Sequence, residues 1–269
     1  MAKKLTPEEV RKLTHGQHTR YPRKIEDWYA NQIKAWVKAW QRIASHYIDD
    51  YLARYVHGGN SFLQDDDEKN WADAFDTFIK AMSAAILSST SEQEVKTAVG
   101  KFVKAVDNFS YANVKLQAGA VGLNPIQSDA ELDSYVKIKL VENTHLVLNL
   151  RDEFADKLQT DIYNAVTKGG GAGAVRDALV KRAGMTLKRA DLIANDQCGT
   201  IIGQVNAYRH KKAGANRYIW QSQEDERVRP KHQALDRTVQ KYDDPDGGDD
   251  GEMPGEPIRC RCVADPIFD

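Results

Sequence analysis

Apolar residues recur at helical spacing from Ile25 to Val56: Trp28/Tyr29, Ile33, Trp36/Val37, Trp40, Ile43/Ala44, Tyr47/Ile48, Tyr51/Leu52 and Tyr55/Val56. Neither Gly nor Pro interrupts this run, so it predicts one helix of roughly nine turns. The run His57-Gly58-Gly59-Asn60 ends it, with glycines where the residue after a helix adopts a left-handed conformation. A second helix is predicted over Asp66–Ser88 and a third over Ser91–Gln117. The third opens on a capping box, because the Ser91 hydroxyl and the Glu94 carboxylate can each satisfy a free backbone N–H. A long helix over Asp129–Val166 places Leu132, Val136, Leu140, Asn143, Val147, Leu150, Phe154, Leu158 and Ile162 on one face.

After the glycine-rich connector around residues 168–173, two further helices are expected, Ala174–Ala183 and Thr186–Lys212. No Gly-Lys-Ser/Thr follows those glycines, so they read as a joint and not as a phosphate loop. In the longer of the two helices Ala190, Ile193, Ala194, Cys198, Ile201, Ile202 and Val205 form the apolar face, with Cys198 acting as a small buried hydrophobe. The pattern then changes period. Arg217–Gln223 alternates and predicts a strand, and Pro230–Asp236 predicts one helical turn with Pro230 at its first position. Pro257–Asp265 alternates again, which as a strand would put Ile258, Cys260 and Cys262 on one side and Arg259 and Arg261 on the other. The expected fold is therefore mainly α: an elongated multi-helix body carrying a small C-terminal α+β module.

Composition narrows the class. With 269 residues and 41% hydrophobic content the chain can bury one or two sizeable cores. No stretch approaches the ~18–20 continuous apolar residues of a membrane span, and the N-terminus lacks the apolar region of a secretory signal. Three cysteines are too few for a disulfide scaffold and fit a reducing cytosol; Cys260 and Cys262 are also poorly spaced for a mutual disulfide. The net charge of −1 excludes a globally basic nucleic-acid binder. Charge is nevertheless segregated. Residues 1–24, read as a basic flexible tail, hold seven Lys/Arg, and residues 176–217 hold nine. Residues 243–256 hold seven acids and no base. Each block reads either as a solvated polar face or as a phosphate-contacting surface. In the second reading Lys181, Arg182, Lys188, Arg189, Arg209, Lys211 and Lys212 are the candidate DNA contacts.

The densest chemistry lies between Trp220 and Cys262. One reading is a zinc site in which His232, Cys260 and Cys262 supply ligands and Asp225 or Asp236 completes the set; there is no second Cys pair. A catalytic reading, with a Cys/His pair or an Asp/His base, lacks a nucleophile elbow or a His-Glu-x-x-His helix. A structural clasp accounts for more of the residues. Arg227 and Arg229 would bridge Asp225, Asp236 and backbone carbonyls over a floor of Ile219 and Trp220. Cys260 and Cys262 would pack as small side chains and His232 would serve as a hydrogen-bonding hinge. This reading assigns no catalytic residue and no cofactor.

These same residues carry a resemblance. Arg189–Ala194, Ala213–Trp220, Asp225–His232, Pro254–Glu256 and Cys260–Cys262 together resemble the C-terminal domain of tailed-bacteriophage minor head proteins of the Mu F-like head-morphogenesis family. The resemblance covers roughly residues 140–265, giving a helical region over 25–125 and a Mu F-like domain over 126–269. Two positions depart from the family pattern: some relatives carry Cys-x-x-Cys where this chain has Arg229-Pro-Lys-His232, and a Leu-Asp-Gly turn is replaced by Leu235-Asp236-Arg237. The resemblance implies a non-enzymatic virion component inside the head near the portal vertex. Its implied partners are the portal protein, a capsid or scaffolding protein and the packaged double-stranded DNA, bound non-specifically. A DNA-binding module and a zinc-dependent hydrolase or nuclease stand as the alternatives. The aromatic stripe supplies a candidate partner contact at Trp36 and Trp40.

Overall fold

The computed structural model describes residues 3–55 and 71–268. Its elements run α1 (Pro7–Leu13), α2 (Arg23–Tyr55), α3 (Trp71–Ser88), α4 (Glu92–Gly119), α5 (Ala130–Thr167), α6 (Ala172–Lys212), β1 (Arg217–Gln221), α7 (Pro230–Leu235), β2 (Val239–Lys241) and β3 (Val263–Ile267). The protein is thus mainly helical, with a small C-terminal sheet. The predicted glycine stop after Val56 and the first turn of the second predicted helix, residues 66–70, lie outside the described residues.

The helix starts are set locally. Ser91 and Glu94 exchange the capping-box hydrogen bonds at 2.8 and 3.2 Å, and Asp129 Oδ1 accepts the Leu132 N–H at 2.9 Å to open α5. The two helices expected after residue 173 are instead the single 41-residue α6. Gly184 costs only about 1 kcal/mol of helix propensity, too little to break a helix packed on both sides of it. Gly214, at φ +99°, closes α6, and Arg209, Lys211 and Lys212 complement the dipole in its last turn.

The chain forms two compact units. The first gathers residues 1–29, 99–142 and 192–269, the second residues 30–98 and 143–191. In the second unit Trp40 is fully buried, donates from Nε1 to Thr90 Oγ1 at 2.9 Å and lies 6.0 Å from the Phe154 ring. The aromatic stripe is therefore core at Trp40, and this residue cannot face a partner; Trp36 is half-buried.

In the first unit, β1 is the middle strand of an antiparallel sheet ordered β2-β1-β3, with Ile219 opposite both Val239 and Asp265. Strand alternation sends Tyr218 and Trp220 to one face, where they pack with Cys260, Cys262 and Ala264. Ile219 goes to the other face and packs with Val10 and Ile267. Val10 lies on α1, whose capping box uses Thr6 and Glu9. The stretch expected to be a flexible tail thus covers the second face of the sheet. The reason is burial: an apolar strand with two faces needs a cover on each.

Candidate functional site

The small module is assembled by a loop pressed onto a helix. Gly199 and Gly203 of α6 meet the backbone of Pro254–Cys260 so closely that a Cβ at Gly199 would stand 2.5 Å from the Gly255 carbonyl oxygen. At Gly203 it would stand 2.5 Å from that of Pro254. Gly255, at φ +103°, makes the turn at the contact. The alternation over 257–265 does not become one strand. Arg259 adopts φ +58°, with its N–H donating to Asp196 Oδ1 at 2.7 Å, and the strand begins only at Val263. Ile258 consequently points to solvent, 65% exposed, and not to the side shared by the cysteines.

This loop brings Cys260 and Cys262 against His232 of α7. The Cys262 and Cys260 sulfurs lie 3.5 and 3.6 Å from the same ring nitrogen, His232 Nδ1. The other nitrogen, Nε2, is 2.9 Å from Asp249 Oδ2, which can only accept, so Nε2 carries a proton. All three side chains are buried, and their donor atoms lie within 4.8 Å of one another. Trp220 forms the floor, edge-on to His232 at 5.2 Å. Hydrogen bonds from Cys262 draw the Cys260 thiol down to about 5, and contact with Cys260 holds His232 above its ordinary value.

The arginine clasp does not form as expected. Asp225, Arg227 and Arg229 are exposed. Asp225 accepts only a local turn hydrogen bond, from the Arg227 N–H at 3.0 Å, and Arg229 donates to the Ile258 carbonyl. The buried Asp236 instead accepts from the Ser222 N–H at 2.9 Å and from Arg237 at 3.2 Å. Charged groups that far into solvent have no need of a clasp, because water serves them better than a fixed partner does.

The buried ion pair that does tie the module together was not singled out from sequence. Arg261 reaches Glu26 of α2 through Nη2 to Oε1 at 2.7 Å and Nε to Oε2 at 3.1 Å. Tyr21 and Asn195 donate to the same carboxylate at 2.6 and 2.9 Å. Two further networks join the N-terminal stretch to the sheet. Asp265, fully buried, accepts the Thr19 N–H at 2.6 Å and pairs with His18 at 2.9 Å. A chain of side chains runs from Thr19 through Gln117 and His210 to Tyr242, with separations of 2.6, 2.9 and 2.7 Å. Burial pushes His210 down to about 3, so it is neutral there. Of these, only Glu26, Gln117, Asn195 and His210 stand in helices.

The basic candidates are dispersed. Arg209 is fully buried and bound to Asp107 at 2.7 Å and to the Gln127 carbonyl at 2.7 Å, so it cannot contact DNA. Arg182 pairs with Asp161, Arg189 with Glu153 and Lys211 with Asp243, each at 2.6 Å. Lys212 stands 3.9 Å from Glu131, while Lys181 and Lys188 are exposed. The 181–189 group and the 209–212 group belong to different compact units.

Residues 156–265 match the family described as "Phage Mu protein F like protein", and this C-terminal region is a Phage Mu protein F-like domain. Over 252 residues the chain is 27% identical to an uncharacterized protein of Haemophilus influenzae strain Rd; the match takes in 92% of this chain. It spans 54% of that relative, about half its length. No solved structure matches. Among the described residues no helix is long and apolar enough to cross a membrane.

Proposed function

We propose that the protein is a minor head protein of a tailed bacteriophage that acts in head morphogenesis, without catalytic activity of its own. It would sit inside the head near the portal vertex, with the portal protein and a capsid or scaffolding protein as partners. The observation that carries this reading is the Phage Mu protein F-like match over residues 156–265, which takes in α7, β1, β2, the start of β3 and the loop pressed on Gly199 and Gly203. A buried, cross-braced module of this kind suits a part that must hold its shape within an assembly. Contact with the packaged DNA would be limited. Of the seven basic candidates one is buried and three are held in close ion pairs, so few phosphates could be neutralised at once.

Quantitative mass spectrometry of purified virions beside empty procapsids tests the reading. The expected result is a small, fixed number of copies per particle in both, and co-purification with the portal protein on co-expression. Absence from both particles would sink it.

A further inference from the structure

Two buried sulfurs converge on one ring nitrogen, the arrangement of a metal-ligand set. With Nε2–H directed at Asp249, His232 Nδ1 has one valence left, either a single lone pair or a single proton. One sulfur can use it; two buried sulfurs at 3.5 and 3.6 Å cannot both do so. A cation between the three atoms satisfies all of them. With Zn–S of about 2.3 Å and Zn–N of about 2.0–2.1 Å, a tetrahedral centre sets its sulfurs and nitrogen about 3.5–3.6 Å apart. The observed spacings fall in that range before any metal is placed.

We propose that His232 Nδ1, Cys260 Sγ and Cys262 Sγ bind one zinc ion. Two thiolates and a neutral imidazole balance its charge, which a site this buried requires. The surroundings are those of a metal–thiolate centre in two further respects. Asp249 orients the histidine through its other nitrogen, the carboxylate–histidine arrangement that fixes the tautomer of a metal ligand. The Cys262 N–H points at the Cys260 sulfur at 3.4 Å, stabilising it as an anion. Sulfur and nitrogen donors favour zinc over magnesium or calcium, which take oxygen. His232, Cys260 and Cys262 also line a cleft of about 30 Å³ together with Gln223, Asp225 and Arg229, which has room for a water molecule as a fourth ligand. The ion would join the 254–262 loop to α7, two pieces of a module whose own apolar core is small. This inference is independent of the phage-head reading.

The test is elemental analysis of the full chain purified without chelator, followed by chelator competition. One zinc per chain is expected, and it should be absent from Cys260→Ser, Cys262→Ser and His232→Ala. Asp249→Asn should retain the ion with roughly 10–100-fold lower affinity. Cobalt substitution of the wild-type chain guards against variants that fail to fold. A thiolate-to-cobalt charge-transfer band with intense visible bands of tetrahedral cobalt is expected. The proposal is overturned if the wild-type chain carries no zinc and takes up neither zinc nor cobalt at micromolar concentration. It is also overturned if folded Cys variants keep the full metal content.

Discussion

Replacing Glu26 with Ala would remove one half of the ion pair that joins α2 to the cysteine-bearing loop. Glu26 is 4% exposed and the Arg261 side chain 19%, so the guanidinium would be left mostly buried without its counter-charge. The Tyr21 hydroxyl and the Asn195 amide would lose their acceptor as well. Breaking a buried pair by deleting one partner costs about 3–5 kcal/mol, and the remaining solvent access of Arg261 favours the lower part of that range. At roughly 2–4 °C per kcal/mol for a unit of this size, melting should fall by about 6–15 °C. Urea denaturation, followed by tryptophan fluorescence and by far-ultraviolet circular dichroism, is the assay. Glu26→Leu combined with Arg261→Met should recover much of the loss, since a matched apolar pair leaves no charge stranded. The pair also has a pH signature. Burial would raise the Glu26 carboxyl, but hydrogen bonds from Arg261, Tyr21 and Asn195 outweigh it and hold the group below its ordinary range. A depressed folded-state value means stability is present above the ordinary carboxylate pKa of about 4 and is lost as pH falls through the folded value. Wild type should therefore lose stability in acid more steeply than Glu26→Ala. A shift of less than about 0.5 kcal/mol for Glu26→Ala at pH 7, with an unchanged acid limb, would refute the reasoning.

Other substitutions probe separate links. His18 is raised by its hydrogen bond to Asp265, so its contribution is complete below about pH 6 and fades as pH rises through the folded value; His18→Ala should flatten the urea midpoint between pH 6 and 8. Gly199→Ala forces a methyl group against the Gly255 and Cys260 carbonyls and should cost about 1–3 kcal/mol, with the Cys thiols becoming more reactive to an alkylating probe. Trp40→Ala should cost about 3–5 kcal/mol by opening a cavity between Thr90 and Phe154, whereas Trp36→Ala, half-buried, should cost clearly less in thermal melts. Asp225→Ala and Arg229→Ala, at exposed positions, should each change stability by no more than about 1 kcal/mol by chemical denaturation.

Periodicity and capping in the sequence determined the helices α2 to α5, the single turn of α7 and the strand β1. Those signals are local: the Ser91 and Glu94 caps and the alternation through Tyr218 and Trp220 act over a few residues, and nothing distant overrode them. The motif from Asp225 to Cys262 likewise carried the family resemblance, because motif residues at fixed spacing can be read without their contacts. Tertiary structure decided the rest. The alternation over 257–265 was overruled by the left-handed Arg259 and by the close seat on Gly199 and Gly203, a steric fit invisible one residue at a time. The segment 3–22 looked like a basic tail because its charges are frequent, yet Val10, Thr19 and His18 are fixed by strands β1 and β3, far along the chain. Ion pairing was chosen by burial: exposed Arg227 stays in solvent and Arg229 reaches only the Ile258 carbonyl, while Arg261, two residues beyond Arg259, finds Glu26. Cys260, Cys262 and His232 could be named as donors from composition. Only folding could turn both sulfurs toward one nitrogen, because that requires the loop, α7 and Asp249 to be placed together.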